Sequence, residues 1–233
     1  YGTELHRYPD PNSTELRNAL AQFLGVENKN VFAGNGSDEI IDLLIRLFVG
    51  FDEEVVILEP TYGVYKVAAN IAGVGVKTCA LNSEFQIDLA TLLSQLTPLT
   101  KIVFCCSPNN PTGNLLRFAD VEQLCRSFHG IVVVDEAYIE FASRSSWVYR
   151  VGALENLVVL RTFSKAWGLA GIRVGYTVAH ETIIQYLDKI KSPYNLNRIS
   201  SGLAIQALSQ EDKMLEFRKL ILEEREKLAK QLQ

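Results

Sequence analysis

The sequence predicts an α/β fold in which a mostly parallel central sheet carries helices on both faces, and three observations predict it. Apolar runs at 55–58, 101–106, 131–135 and 157–160 are continuous rather than alternating, the pattern of strands buried from both sides. Stretches of helical period lie between them, so strand and helix signals alternate along the chain. A polar motif follows each of the four runs, and in sheets of this kind ligands bind at the strands' carboxyl ends.

Residues 1–25 read as an N-terminal arm and a first helix. Tyr8, between Arg7 and Pro9, lies in a stretch without helical periodicity that suits an extended arm. Ser13 is placed as the helix cap, Leu16, Leu20, Phe23 and Leu24 form the apolar stripe, and Gly25 stops it. Asn35-Gly36-Ser37-Asp38-Glu39 opens a second helix with apolar positions Ile40, Ile41, Leu43, Leu44, Leu47 and Phe48. The free backbone N–H groups and positive dipole end there suit a phosphate, and Gly36 allows close approach; an ordinary capped helix start is the plain alternative. The run at 55–58 exits into Pro60-Thr61-Tyr62-Gly63, where Tyr62 either stacks on a planar ligand or packs beneath the loop. Asp88 opens a helix through Leu89, Leu92, Leu93 and Leu96.

The run at 101–106 exits into Ser107-Pro108-Asn109-Asn110-Pro111-Thr112-Gly113. Its prolines stiffen the turn and disfavour helix at Asn110, which holds that amide at the sheet's rim; a purely structural turn is the alternative. The run at 131–135 closes on Asp135, with Tyr138 three residues on. A carboxylate ending a buried strand is costly without a partner, so a helix-cap role or a cationic ligand must compensate. The run at 157–160 leads to Thr162-Phe163-Ser164-Lys165, with Arg173 beyond it. Residues 26–208 read as one large domain. A charged amphipathic helix from Met214 to Leu232, with Leu215, Leu222 and Leu228 among its apolar positions, fills most of 209–233.

A chain of 233 residues can bury roughly 70–75% of its unfolded surface, enough for one substantial core. The 48% apolar content and net charge of −4 leave no basic surplus for a nucleic acid or an anionic membrane. No run approaches the roughly 20 apolar residues that span a bilayer, and no signal pattern opens the chain, so a cytoplasmic location is expected. Cys79, Cys105, Cys106 and Cys125 lack C-x-x-C spacing and read as reduced core thiols, with Cys105 and Cys106 on opposite faces of a strand. His6, His129 and His180 are far apart in sequence, so no metal site is expected.

Lys165 by itself reads as a solvated surface residue, and its companions change that. A lysine amine for a Schiff base, a carboxylate to hold a pyridine nitrogen protonated, and hydroxyls with an arginine for a phosphate are the requirements of pyridoxal 5'-phosphate.

These runs resemble fold type I pyridoxal-phosphate aminotransferases and, within them, the histidinol-phosphate aminotransferase family. The resemblance spans essentially the whole chain, from Arg7-Tyr8-Pro9-Asp10 through Asn35 to Glu39, Tyr62-Gly63, Ser107 to Gly113, Asp135-Glu136-Ala137-Tyr138 and Thr162 to Lys165, to Arg173-Val174-Gly175. Asn-Pro-Thr-Gly and Thr-x-x-Lys are widespread among aminotransferases. Tyr-Pro-Asp, the run from 135 to 141 and Ser192-Pro193-Tyr194-Asn195-Leu196-Asn197 look particular to the narrower branch.

The resemblance implies that Lys165 carries the cofactor covalently and shuttles a proton at the substrate Cα. It implies that Asp135 pairs with the pyridine nitrogen, that Asn110 and Tyr138 bind the ring's phenolate oxygen, and that Tyr62 stacks on the ring. Gly36, Ser37, Asp38, Thr162, Ser164 and Arg173 would hold the phosphate, and Tyr8 would reach the cofactor phosphate of a second subunit in a homodimer. The implied reaction is transamination of L-histidinol phosphate with 2-oxoglutarate, giving imidazole acetol phosphate and glutamate, in L-histidine biosynthesis. In the family the last helix leads to a small C-terminal domain with substrate-clamping arginine; a chain running from Tyr1 to Gln233 is expected to be an incomplete copy.

Three other readings stay open at this point. A threonine-phosphate decarboxylase or aromatic aminotransferase would use the same scaffold. A cofactor-sensing domain of a transcription regulator would need a DNA-binding helix-turn-helix, which is not visible. A nicotinamide-binding domain would need a G-x-G-x-x-G run after a strand, and none occurs.

Overall fold

In a computed structural model, residues 4–143 and 146–232 are described; Tyr1 and Gln233, the two ends named above, lie outside the described residues. The strands are β1 (Val31–Gly34), β2 (Glu54–Glu59), β3 (Gly75–Ala80), β4 (Thr100–Cys106), β5 (Ile131–Asp135), β6 (Leu157–Thr162) and β7 (Gly175–Ala179). They form one sheet in the order β1-β7-β6-β5-β4-β2-β3. β2, β3, β4, β5 and β6 pair in parallel, while β7 runs against both β6 and β1. β1 therefore shares the direction of β6, and β7 alone opposes the rest. The mostly parallel sheet expected from the four apolar runs is present.

The helices are α1 (Thr14–Leu24), α2 (Gly36–Phe48), α3 (Val64–Ala72), α4 (Leu89–Gln95), α5 (Phe118–Ser127), α6 (Glu181–Ile190), α7 (Arg198–Leu208) and α8 (Glu211–Leu232). Because side chains alternate across a strand, each strand feeds both layers of core. One face packs Leu16 and Leu20 of α1, Leu92 of α4, Val121 and Leu124 of α5 and Ala204 of α7 against Val103, Cys105 and Val134. The other packs Ile40, Ile41 and Leu44 of α2, Tyr65 of α3 and Ile183, Ile184 and Leu187 of α6 against Ile102, Phe104, Cys106 and Val133. Cys105 and Cys106 fall on opposite faces as expected, and all four cysteines are buried and unbridged.

Three helix ends separate backbone from side-chain capping. Gly25, at φ 68, ends α1 as expected, with Val26 N donating to Ala21 O at 3.0 Å. Ser13 does not cap the start. It sits in the left-handed region at φ 47 with no side-chain cap bond, and Asp10 takes the role by accepting from Thr14 N at 2.7 Å and Asn12 N at 3.0 Å. Asp88 does cap α4, accepting from Thr91 N at 3.1 Å.

The long α8 behaves differently from the others. Met214 is its buried residue, Leu215 and Leu228 are exposed, and Leu222 is half-buried. Arg218 ties it to the body by donating to the carbonyls of Glu140 and Ala142.

Candidate active site

The carboxyl ends of β2, β4, β5 and β6, the end of β1 and the start of β7 share one edge of the sheet, and a cavity of about 130 Å³ opens there. Ser37, Asp38, Tyr62, Asn110, Asp135, Tyr138, Thr162, Ser164, Lys165 and Arg173 all line it. Ten residues expected from the sequence, spread from 37 to 173, are thus brought together by topology.

One end of the cavity is a cup of donors. Gly36 begins α2 at φ +78, a conformation costly for a residue with a Cβ. Ser37 and Asp38, the next two residues, line the cavity, and first-turn amides of a helix have no intrahelical partner. Gly175 meets them closely: a Cβ there would lie 2.3 Å from Ser37 N, so only glycine lets β7 start beside α2. Asn35 makes no side-chain cap; Glu39 closes the helix start by accepting from Asn35 N at 2.5 Å. Asn195 fixes that carboxylate, donating to Glu39 Oε2 at 2.9 Å and to Ala33 O at 3.1 Å. Across the cup, Thr162 Oγ1 donates to Ser164 Oγ at 2.9 Å and accepts from Ser164 N at 3.1 Å. Arg173, at φ 52, brings its guanidinium to Asp38 Oδ2 at 3.3 Å and remains half-exposed.

The other end is organised around a buried charge. Asp135 is 2% exposed and accepts from Tyr65 Oη at 2.7 Å and Ala137 N at 3.0 Å. Burial raises its carboxyl pKa, and the Asp38 and Glu136 carboxylates add to the push while the Tyr65 and Ala137 donors oppose it. Among the described residues no cation is paired with it. Tyr62 donates to Asp38 Oδ1 at 3.3 Å, and burial followed by that carboxylate pushes its phenol up to about 12, so it is a neutral donor at physiological pH. Lys165 Nζ stands 5.4 Å from the Tyr138 ring centroid, and both residues line the cavity.

The two asparagines after β4 divide their labour. Asn109 is buried and structural, donating to Pro60 O at 2.8 Å and Thr112 Oγ1 at 2.7 Å. Asn110 faces the cavity and also a neighbouring cleft of about 580 Å³, which it shares with Tyr138 and with Arg218, Leu222 and Arg225 of α8.

Two expected residues stand apart from the cavity lining. Gly36 lies just behind it, against Arg173. Tyr8 is elsewhere: it is 78% exposed and stacks on Tyr194 with ring centroids 4.5 Å apart. Sequence reasoning missed Tyr65, Gly175 and the Asn195–Glu39 pair. Tyr65 had a signal, since a second tyrosine follows Tyr62 by three residues just inside the helix that the turn leads into; the others depend on contacts distant in sequence. Among the described residues no cluster of three or more histidine, cysteine or acidic side chains could hold a metal, and no helix is long and apolar enough to cross a membrane.

The family model for aminotransferase class I and II matches residues 2–233. The chain is 43% identical over 230 residues to a histidinol-phosphate aminotransferase of Christiangramia forsetii, a match that covers 98% of this chain and 65% of that protein. It is 44% identical over 227 residues to one of Parabacteroides distasonis, covering 97% and 66%. A solved histidinol-phosphate aminotransferase from Sinorhizobium meliloti, in complex with pyridoxal-5'-phosphate, aligns with a TM-score of 0.89 at 30% identity, covering 96% of this chain and 62% of that one. The chain thus spans just under two thirds of the length of these relatives.

Proposed function

We propose that this chain, which belongs to the aminotransferase class I and II family, forms the cofactor-holding part of a histidinol-phosphate aminotransferase. The reaction is transamination of L-histidinol phosphate with 2-oxoglutarate, and the cofactor is pyridoxal 5'-phosphate. The observation that carries the reading is the meeting of a lysine amine, a buried carboxylate without a cation, and a cup of donors in one cavity.

The donor set fits this cofactor end to end. A phosphate suits the α2 amides at Gly36, Ser37 and Asp38, the hydroxyls of Thr162 and Ser164, and the Arg173 fork. A protonated pyridine nitrogen supplies the positive charge that Asp135 lacks. Tyr62 offers an aromatic face, and Asn110 and Tyr138 offer donors for a phenolate oxygen.

When bound, the cofactor supplies an electron sink that makes an amino-acid Cα proton removable. Lys165 would hold the aldehyde end and would accept and return the proton at the substrate Cα. Asp135 would keep the ring nitrogen protonated. Asn110 and Tyr138 would hold the phenolate oxygen, and Tyr62 would lie against the ring. Substrate enters from the adjoining cleft beside Asn110 and Tyr138.

The protein acts in the cytoplasm as a homodimer in which Tyr8 donates to the cofactor phosphate of the second subunit. Its 78% exposure, with the ring stacked on Tyr194 at the surface, supports that role. Mixing a Lys165→Ala chain with a Tyr8→Phe chain should restore part of the activity; no recovery despite demonstrated subunit exchange refutes the shared site. Turnover of the full-length protein on histidinol phosphate, threonine phosphate and tyrosine tests the reaction itself. Preference for either of the last two overturns it.

A further inference from the structure

We propose that Tyr65 is a positioning residue of the cofactor site, fixing the Asp135 carboxylate so that its free lone pairs face the cofactor's ring nitrogen. The inference rests on the pyridoxal-phosphate reading above and assigns a task to a residue that touches neither cofactor nor substrate.

Tyr65 lies in the first turn of α3, fully buried, and its ring is held from two sides. It lies flat on Phe104 of β4, with centroids 4.7 Å apart and planes 8° apart, and edge-on to Tyr62 at 5.6 Å and 85°. A ring held this way delivers its hydroxyl to one place, Asp135 Oδ2 at 2.7 Å. Ala137 N meets the other oxygen, Oδ1, at 3.0 Å. With one donor on each oxygen the carboxylate cannot turn, and its remaining acceptor sites open on the cavity.

The chemistry of the partner matters as much as its place. A lysine or arginine at position 65 would neutralise Asp135 and remove its need for a cationic ligand. A phenol supports the anion through a hydrogen bond and leaves the charge unpaired. Tyr65 stays a donor, because burial and then the neighbouring Asp135 raise its pKa well above the usual phenol range. The other titratable or charged groups around Asp135 and along its cavity are Asp38 of α2, Tyr62 before α3, Cys106 of β4, Glu136 and Tyr138 after β5, Lys165 after β6, and Arg173 before β7, whose guanidinium is held by Asp38. Asp38 and Glu136 oppose ionisation of Asp135, so the phenol's support counts.

The test is Tyr65→Phe in the full-length protein, which keeps the stacked ring and deletes only the hydroxyl. Titration of cofactor-free protein with pyridoxal phosphate, followed by absorbance, should show affinity about ten- to a hundredfold weaker at neutral pH. Without the donor, Asp135 takes up a proton more readily, so the acid limb of cofactor binding should move to higher pH. Replacing Tyr65 with 3-fluorotyrosine keeps the shape and strengthens the donor, and should move the limb the other way; it serves also if the Phe variant does not fold. In an Asp135→Asn background, Tyr65→Phe should add little. Unchanged affinity and limb position, with only a lower melting temperature, would make Tyr65 a packing residue and overturn the inference. Failure of the unmodified protein to bind pyridoxal phosphate would instead overturn the cofactor reading on which it rests.

Discussion

Asp135 and Glu136 are consecutive, both buried at the end of β5, and they differ in what surrounds their charge. Glu136 points away from the cavity into a closed cluster, accepting from Arg161 Nε at 3.2 Å, Ser146 Oγ at 2.5 Å and Trp147 N at 2.7 Å. Arg161 is itself ringed by Glu140 at 3.7 Å and the Tyr176 hydroxyl at 3.5 Å. Burial raises the Glu136 pKa, and Arg161 leads the groups that oppose the rise. Asp135 receives the same push from burial, but the groups that oppose it are a phenol and one amide, both neutral. A buried charge closed by its own cation holds elements together; one given only neutral donors beside a cavity is poised for a cation from outside. The alternation of side chains across a strand places the two kinds of charge on adjacent residues.

The comparison breaks first at Lys165, the amine on the cavity side. Lys165→Ala should abolish transamination while leaving the melting temperature of cofactor-free protein unchanged, because the exposed Lys165 side chain makes no hydrogen bond or ion pair among the described residues. Borohydride reduction of the unmodified protein with cofactor, followed by peptide mapping, should place the adduct on Lys165. An adduct on any other lysine ends the assignment.

Asp135→Asn separates function from stability on one residue. Turnover should fall several hundredfold, on the scale of the roughly 3–5 kcal/mol lost when one member of a buried charge pair is removed. The cofactor-free protein should respond in the opposite sense. A carboxyl whose pKa is raised on folding contributes stability that is fully present below its unfolded pKa and is lost as pH rises through its folded pKa. Above the folded pKa that stability is gone, so there the amide variant without cofactor should melt no lower than the parent. It should also lose part of the gain in melting temperature that the parent shows on acidification. A lower melting temperature above that pKa would make Asp135 a structural residue like its neighbour.

Glu136→Gln sharpens the contrast from the other side. It leaves Arg161 buried with a weaker partner, so unfolding free energy should fall by about 3 kcal/mol. Cofactor affinity of the folded fraction should not fall, because the lost carboxylate had opposed ionisation of Asp135; a denaturation curve and a cofactor titration on the same sample would separate the two effects.

How much of this was legible before the structure varies with how locally each feature is determined. The runs at 55–58, 101–106, 131–135 and 157–160 name β2, β4, β5 and β6 because burial on both faces leaves a continuous apolar signature. β3 gave no such signal, since Gly75-Val76-Lys77-Thr78 lies at the sheet edge and is only partly buried. β7 hides a polar atom inside the sheet: Thr177 Oγ1 is buried and donates to Val159 O at 2.8 Å, which breaks the apolar pattern. The cavity residues were readable as motifs that follow strands, and topology gathers them. The Tyr65–Asp135 bond spans seventy positions, and the Arg161–Glu136 pair twenty-five, so neither has a local signature. Ser13 shows the limit within a single turn, where residue type suggests a cap but the backbone gives the task to Asp10.

Arg173 should give the smallest effect, and the reason returns to the contrast between the two sides of β5. Arg161 is buried, and its charge is committed to Glu136 and Glu140; Arg173 is half-exposed and, among the described residues, donates to Asp38 Oδ2 at 3.3 Å and Ala170 O at 3.4 Å. Water screens such a cation, so its value to a phosphate lies in the planar fork more than in raw charge. Arg173→Lys keeps the charge and removes the fork, and the left-handed backbone at φ 52 is retained by either residue at similar cost. Cofactor affinity should weaken about tenfold, with turnover at saturating cofactor nearly unchanged. Equilibrium titration and steady-state rates on the same preparation distinguish the two. Unchanged affinity with collapsed turnover would move Arg173 from the phosphate to the substrate, and would show that the cup at the start of α2 binds its anion without it.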